Sequence, residues 1–297
     1  MKRMKTKFRS SILAACHSFG GAVCAGAVLL IASSTPAQNL FVADYWDGNI
    51  WEFTPGGAQT LFASGLDTPY GITFNGKGDL FVSDLNSGVI TEIMSGGVQS
   101  PFASGLSCPA GLAFDSAGNL FVAQWDQAKI TKITPDGTQT TYASGLFAPN
   151  GLVFSSAGDL FVANQGGSDI IQITAGGVQS EFASGDEPNG VAFDNAGNLY
   201  ESTFNGNVIE ITTGGVQTVL AHYSNPLAKV AVDSAGNVFA ADCIGGNIYK
   251  ITPDGTQTLF ASGLVGPEAL AFQPVPEPSA LGLLAVGASA LLVRRRK

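Results

Sequence analysis

The chain has 297 residues, 38 of them glycine, with 45% apolar and 12% charged content and a formal charge of −9. Nine of its fourteen basic residues lie at the two ends, so residues 38–273 keep five lysines, no arginine and twenty-two acidic residues, a balance of −17. A surface this acidic, without arginine to grip phosphate, argues against nucleic acid as a partner and favours cationic ligands or metal ions.

Residues 1–37 read as a cleavable secretory signal, expected to form a helix. Lys2, Arg3, Lys5, Lys7 and Arg9 precede an apolar run over residues 21–32, and Thr35-Pro36-Ala37 puts small residues where a signal peptidase cuts. Leu13 to Cys16 has lipobox character, but the apolar stretch before Cys16 is too short for lipidation.

From residue 38 onward one phrase recurs: Asn39-Leu40-Phe41-Val42, Asp79-Leu80-Phe81-Val82, Asn119-Leu120-Phe121-Val122, Asp159-Leu160-Phe161-Val162, Asn198-Leu199-Tyr200 and Asn237-Val238-Phe239. Its spacings are 40, 40, 40, 39 and 39 residues. Each unit carries four short alternating or apolar runs separated by turn chemistry, which predicts four strands. The third and fourth runs meet at Gly56-Gly57, Gly96-Gly97, Asp136-Gly137, Gly176-Gly177, Gly214-Gly215 and Asp254-Gly255, pairs that suit two-residue hairpins.

Four antiparallel strands per repeat predict an all-β, six-bladed β-propeller over residues 38–273, each blade burying its faces against its neighbours. The first unit lacks an inner strand, and residues 268–272 supply a spare one at the far end. Closure of a ring, rather than an open solenoid, follows from that pairing of the two ends. Cys108 and Cys243 fall in blades on opposite sides of such a ring, beyond the roughly 7 Å that a disulfide spans, and are expected as free thiols.

The loops into the inner strands and those between second and third strands emerge on one face, the default place for a site. Copies of the position after the repeated proline read Glu268, Tyr70, Ala110, Asn150, Asn189 and Leu227. The ends of the second strands read Asp44, Asp84, Gln124, Asn164, Thr203 and Asp242, oxygen-bearing groups gathered around one axis. Tyr45, Trp46, Trp125 and Phe204 add aromatic rings, and Asn and Asp at such places also cap their own loops.

The repeat resembles NHL-repeat propellers and the regucalcin and gluconolactonase group. That resemblance implies a divalent metal held by a glutamate in the first blade, asparagines in the third and fourth, and an aspartate in the fifth. Glu268 and Asn150 match, Asn189 stands where the family has its aspartate, and Ala110 where it has the other asparagine. Glu268, Asn150 and Asn189 are therefore expected to make at most a weak Ca2+ site. Tyr70, Asp44, Asp84, Asp242, Asn164, Trp46 and Trp125 are the other candidate ligand-binding residues, and no other cofactor is implied. Streptogramin lyases are similar propellers but need a histidine and glutamate pair, and His222 has no such partner in the sequence. The leading reading is a non-catalytic ligand-binding or extracellular-matrix-associated propeller; the alternative is a metal-dependent lactone hydrolase.

Beyond the repeats, Pro276-Glu277-Pro278 leads into fourteen apolar or small residues, 280–293, and then Arg294-Arg295-Arg296-Lys297. A helix of that length spans about 21 Å, short of a roughly 30 Å hydrocarbon core. The order of the three parts in 274–297 resembles the PEP-CTERM sorting signal of exported bacterial proteins. It implies an exosortase as processing partner, passage through the inner membrane, and a destination at the cell surface or beyond, where polysaccharide or a surface protein is the expected partner. A plain tail anchor is the competing reading. In a host with an exosortase, changing Pro276, Glu277 and Pro278 to alanine is expected to leave uncleaved protein in the inner membrane, as fractionation and immunoblotting would show.

Overall fold

The computed structural model describes residues 38–274; the expected signal helix and C-terminal hydrophobic helix lie outside them. In chain order the strands are β1 (Leu40–Asp44), β2 (Asn49–Phe53) and β3 (Gln59–Ala63), then β4 (Pro69–Phe74), β5 (Leu80–Asp84), β6 (Val89–Ile93) and β7 (Gln99–Ala103). β8 (Pro109–Phe114), β9 (Leu120–Gln124), β10 (Lys129–Ile133) and β11 (Gln139–Ser144) follow, then β12 (Pro149–Phe154), β13 (Leu160–Asn164), β14 (Asp169–Ile173) and β15 (Gln179–Ser184). The last nine are β16 (Pro188–Phe193), β17 (Leu199–Thr203), β18 (Asn207–Ile211), β19 (Gln217–His222), β20 (Leu227–Val232), β21 (Val238–Asp242), β22 (Asn247–Ile251), β23 (Gln257–Ser262) and β24 (Pro267–Phe272).

They form six four-stranded antiparallel sheets. Blade 1 is β24-β1-β2-β3, and blades 2 to 6 take β4–β7, β8–β11, β12–β15, β16–β19 and β20–β23. The ring therefore closes within blade 1, where Leu40 pairs with Phe272 and Val42 with Leu270. Gln38 and Asn39 bind both backbone groups of Gln273 at 3.0 Å.

The second strand of each blade is buried along its whole length, so both of its faces pack against protein and most of its side chains are apolar. Its phenylalanine packs edge-on against an aromatic ring of its own outer strand and one at the end of the next inner strand. Phe41 meets Phe62 and Phe74, Phe81 meets Phe102 and Phe114, Phe121 meets Tyr142 and Phe154, Phe161 meets Phe182 and Phe193, and Phe239 meets Phe260 and Phe272, with centroids 4.7–5.1 Å apart. Each such pair contributes about 0.5–1.5 kcal/mol beyond its buried area. Only the seam after blade 5 lacks the trio; there Tyr200 turns its hydroxyl to Asp194 and Glu210.

The hairpins between third and fourth strands differ from the two-residue form. Thr54 N donates to Ala58 O and Gly57 N to Thr54 O, enclosing a three-residue loop, and the other five blades repeat the pattern. Only the second residue of each pair has positive φ (76–84°), which is why aspartate is tolerated at the first.

Around the axis, Gly71, Gly111, Gly151 and Gly190 let the inner strands approach. A Cβ on Gly71 or Gly111 would lie 2.1 Å from the carbonyl oxygen of Ala110 or Asn150 on the next blade. The channel is consequently narrow, and side chains beside these glycines converge. A chain ending at Pro267 loses all but the first residue of β24, and with it the burial of Leu270 and Phe272. It is expected to melt well below one ending at Pro274, by at least about 3 kcal/mol, or to aggregate through the bare edge of β1. Calorimetry of the two chains checks this.

Candidate functional site

Leu227 pairs with Asp242 just as Pro69 pairs with Asp84, Pro149 with Asn164 and Pro188 with Thr203. In blade 6, Leu227 thus occupies the proline place rather than the one after it. Ala228 completes the ring with Glu268, Tyr70, Ala110, Asn150 and Asn189, and Lys229 stands where four other blades have glycine. Lys229 was not among the expected site residues; aligning Val230 with Ile72, Leu112, Leu152 and Val191, instead of aligning the prolines, reveals it.

The Lys229 side chain crosses the channel. Its ammonium donates to Asn150 Oδ1, to Asn189 O at 3.0 Å and to Asn189 Oδ1 at 3.3 Å, and it lies 4.9 Å from the centroid of the Tyr70 ring. Asn150 in turn donates through Nδ2 to Asn189 Oδ1 and, at 3.1 Å, to the Tyr70 hydroxyl, and Asn189 Nδ2 donates to Leu227 O at 2.9 Å. Asn150, Asn189 and Lys229 are all buried. Beneath them the channel narrows to a space of about 60 Å³ lined by Gly71, Gly111, Gly151, Leu112, Leu152 and Leu270.

Glu268 is half-buried at the mouth. Burial raises its carboxyl above the usual range, and the nearby Lys229 charge opposes that; burial lowers the Lys229 amine, and Glu268 opposes that in turn. Burial, with Glu268 adding to it, also raises the Tyr70 and Tyr45 hydroxyls and pushes the Cys243 thiol up to about 12. Cys108 and Cys243 are free and half-exposed.

The structure places Asn150, Asn189 and Tyr70 in one hydrogen-bonded cluster, with Glu268 close enough to act on the charges of Lys229 and Tyr70. The fit to a divalent cation is poor: the amide oxygens expected to ligate calcium already accept from an ammonium ion, which would repel one. Among the described residues no group of three or more His, Cys, Asp and Glu gathers to hold a metal.

The second ring, at the ends of the second strands, is buried and engaged with backbone. Asp84 accepts from the amides of Asp67 (3.0 Å) and Thr68 (2.6 Å), and Asp44 from those of Val265 (3.1 Å) and Gly266 (2.7 Å). Asn164 accepts from Phe147 N (2.6 Å) and Gln124 from Ser107 N (2.8 Å). Asp242 accepts from Gly245 N (2.6 Å) and from Asn225 Nδ2 (3.1 Å). In blades 1 to 4 these oxygens tie the loop into the inner strand down to the blade.

Above both rings the loops present exposed aromatic and aliphatic side chains: Trp46, Trp125, Phe147, Phe204, Ile244 and Val265. Trp46 is 71% exposed yet held in place, its ring edge-on to Tyr45 at 4.7 Å and lying where a Cβ on Gly266 would be. Tyr45 meets Tyr70 at 6.2 Å, which links the rim to the channel floor. Trp125 Nε1 donates to Gln165 Oε1 at 3.3 Å.

The fold is shared with known propellers. Virginiamycin B lyase from Staphylococcus aureus superposes with a TM-score of 0.58 at 22% identity, covering 69% of this chain and 77% of that one. A structure of a nidogen/laminin complex gives 0.73 at 17% identity, covering 80% and 98%, and a streptogramin B lyase gives 0.62 at 18%, covering 81% and 92%. No curated protein sequence matches the chain significantly. Residues 274–297 match the PEP-CTERM protein-sorting motif. The chain is therefore a six-bladed β-propeller carrying a PEP-CTERM sorting signal, which marks it for export and membrane-anchored sorting.

Lys229→Met keeps an unbranched side chain, one atom shorter, but removes its charge. Asn150 Oδ1 and the Asn189 carbonyl oxygen then lose their donor and Glu268 its opposite charge, so a loss of about 2–4 kcal/mol is expected in denaturant titration at neutral pH. Calcium, by contrast, is expected to shift the melting temperatures of wild type and Glu268→Gln alike.

Proposed function

We propose that this is a non-catalytic, surface-displayed propeller whose central face binds extracellular carbohydrate chains. The observation that carries the reading is the rim of Trp46, Trp125, Phe147 and Phe204, aromatic rings exposed to solvent around a channel mouth that holds Glu268. Flat apolar rings stack on the faces of sugar rings, and a half-buried carboxylate accepts sugar hydroxyls, the polar contact that orients a ligand in such a mouth. Exposed aromatic rings on loops of several blades that open on one face offer a ligand several places to stack.

The lactonase-like alternative needs a divalent metal on Glu268, Asn150 and Asn189, and the Lys229 ammonium takes its place on the two asparagines. A lyase-like reading fares no better. One of the similar structures is of a virginiamycin B lyase described as catalytically inactive after replacement of a histidine. Here His222, the one histidine among the described residues, is exposed at the end of the outer strand β19. The second-strand residues Asp44, Asp84, Asp242 and Asn164 serve in this reading to hold the loops that carry the rim, not to touch ligand.

After exosortase processing of residues 274–297 the propeller would face the polysaccharide outside the cell, or a surface protein bound to it. Tryptophan fluorescence during titration with soluble polysaccharides tests the proposal. Saturable quenching is expected, weakened at least about 10-fold by Trp46→Ala or Trp125→Ala, since one stacked ring is worth about 1–3 kcal/mol by analogy with stacking on bases. Binding that survives both substitutions, or none across a panel of neutral and acidic polysaccharides, would refute it.

A further inference from the structure

The seam between blades 4 and 5 departs from its sisters at one slot. In four seams a leucine from the loop into the inner strand shares a core cluster with the middle valine of the second strand: Leu66 with Val82, Leu106 with Val122, Leu146 with Val162 and Leu264 with Val42. Each leucine amide donates to a carbonyl of the preceding blade (Gly48, Gly88, Ala128 and Gly246), and the Gly185 amide makes the equivalent bond to Ser168 O at 2.9 Å. Gly185 therefore sits in the leucine's slot, and Glu201 in the valine's.

The two exchanges are complementary in position. A Cβ on Gly185 would lie 3.2 Å from Glu201 Oε1, so the carboxyl group fills the space that the leucine side chain has elsewhere. They do not match in polarity. Glu201 is fully buried, neither of its oxygens has a hydrogen-bond partner among the described residues, and its cross-strand neighbours are Val191 and Ile209. Phe161, Ala163 and Ile170 of blade 4 belong to the same seam.

The titratable groups around this slot are few. Asp186, next to Gly185, accepts from Asn207 Nδ2 at 2.8 Å, and Asn207 Oδ1 meets His222 Nδ1 at 2.9 Å. Glu187 follows in the same loop. On blade 4, Asp169 accepts from Asn164 and pairs with Ser184. None of them donates a hydrogen bond to Glu201.

We propose that the seam between blades 4 and 5 is a pH-sensitive latch, closed while Glu201 is protonated and loosened when it ionises. An ionised carboxylate with no partner is strongly disfavoured in such a slot, whereas the neutral acid costs far less. Burial, reinforced by the Asp186 charge, pushes the Glu201 carboxyl up to about 7. Its folded value thus lies above its unfolded one, so the stabilisation is complete below the ordinary carboxylate range and lost as pH rises through about 7. Gly185 and Asp186 line an open cleft of about 430 Å³ with Ile209, Gln217 and Val219, which gives the proton a route to solvent.

The test is thermal and denaturant unfolding of the full chain between pH 5 and 9. Wild type is compared with Glu201→Gln and with the double substitution Gly185→Leu, Glu201→Val, which rebuilds the leucine–valine pair of the sister seams. Wild type is expected to lose up to roughly 100-fold in folding constant across that range relative to either variant. Hydrogen exchange should show β16 and β17 losing protection above pH 7 before blade 2 does, in wild type only. Parallel pH profiles in wild type and the variant that folds would overturn the proposal. So would calcium-dependent stabilisation at pH 8 that disappears in Glu201→Gln, because a metal ion would then be the missing partner.

Discussion

Six twisted sheets bury their faces only if each meets a neighbour on both sides, so the pairing of β1 with β24 decides whether the molecule has a closed core. Without it, the blade 6 face that holds Phe239 has no Phe272 to pack on, and the last seam opens to water. Closure also sets the width of the channel. Glycines at four of the six axial positions bring the inner strands to backbone contact, and whatever replaces glycine in the remaining blades must project into what little space is left. Ala269 does so with one methyl group and Lys229 with a side chain that spans the channel.

Lys229 gives the central site its character. A buried amine is tolerable when its donors are matched, and here Asn150 and Asn189 supply acceptors while Tyr70 offers a ring face. The same contacts lock the two asparagines in orientation, and through the Tyr70 hydroxyl they reach the aromatic chain Tyr70, Tyr45 and Trp46 that ends at the rim. A floor tied together by the Lys229 amine leaves the two asparagine side-chain oxygens already engaged.

The fold was legible because the repeat has a fixed period and every blade reuses the same apolar, turn and hairpin chemistry. Two local readings failed for identifiable reasons. A Gly-Gly pair looks like a turn with two positive φ angles, yet only the second residue adopts one, a distinction that Asp136 and Asp254 at the first position signal. Pro226 lies one residue before the true proline place in blade 6, so a reading anchored on prolines shifts the register and hides Lys229. The ring of Glu268, Asn150 and Asn189 was visible as chemistry. Residue types alone could not show that an amine sits among them, or that Asp44, Asp84 and Asn164 are engaged by backbone amides of neighbouring loops.

The internal copies act as their own controls, and what they share is packing, so polar residues in apolar slots carry the information. Both missing residues of the 39-residue spacings fall in blade 5: the loop into β16 and the loop between β17 and β18 are each one residue shorter than their counterparts in blade 4. The first loss leaves Gly185 in the leucine's slot and opens the place that Glu201 fills. Next to the second, Asn207 bonds Asp186 and meets His222, its cross-strand partner. The blade that departs most in length is thus also the one that puts an unpartnered acid into its core seam, and it stands directly before the blade that sends a lysine into the channel. Packing alone would favour leucine, valine and glycine at these three places, as the other blades show; Gly185, Glu201 and Lys229 mark where the propeller gives up uniform packing for titratable groups.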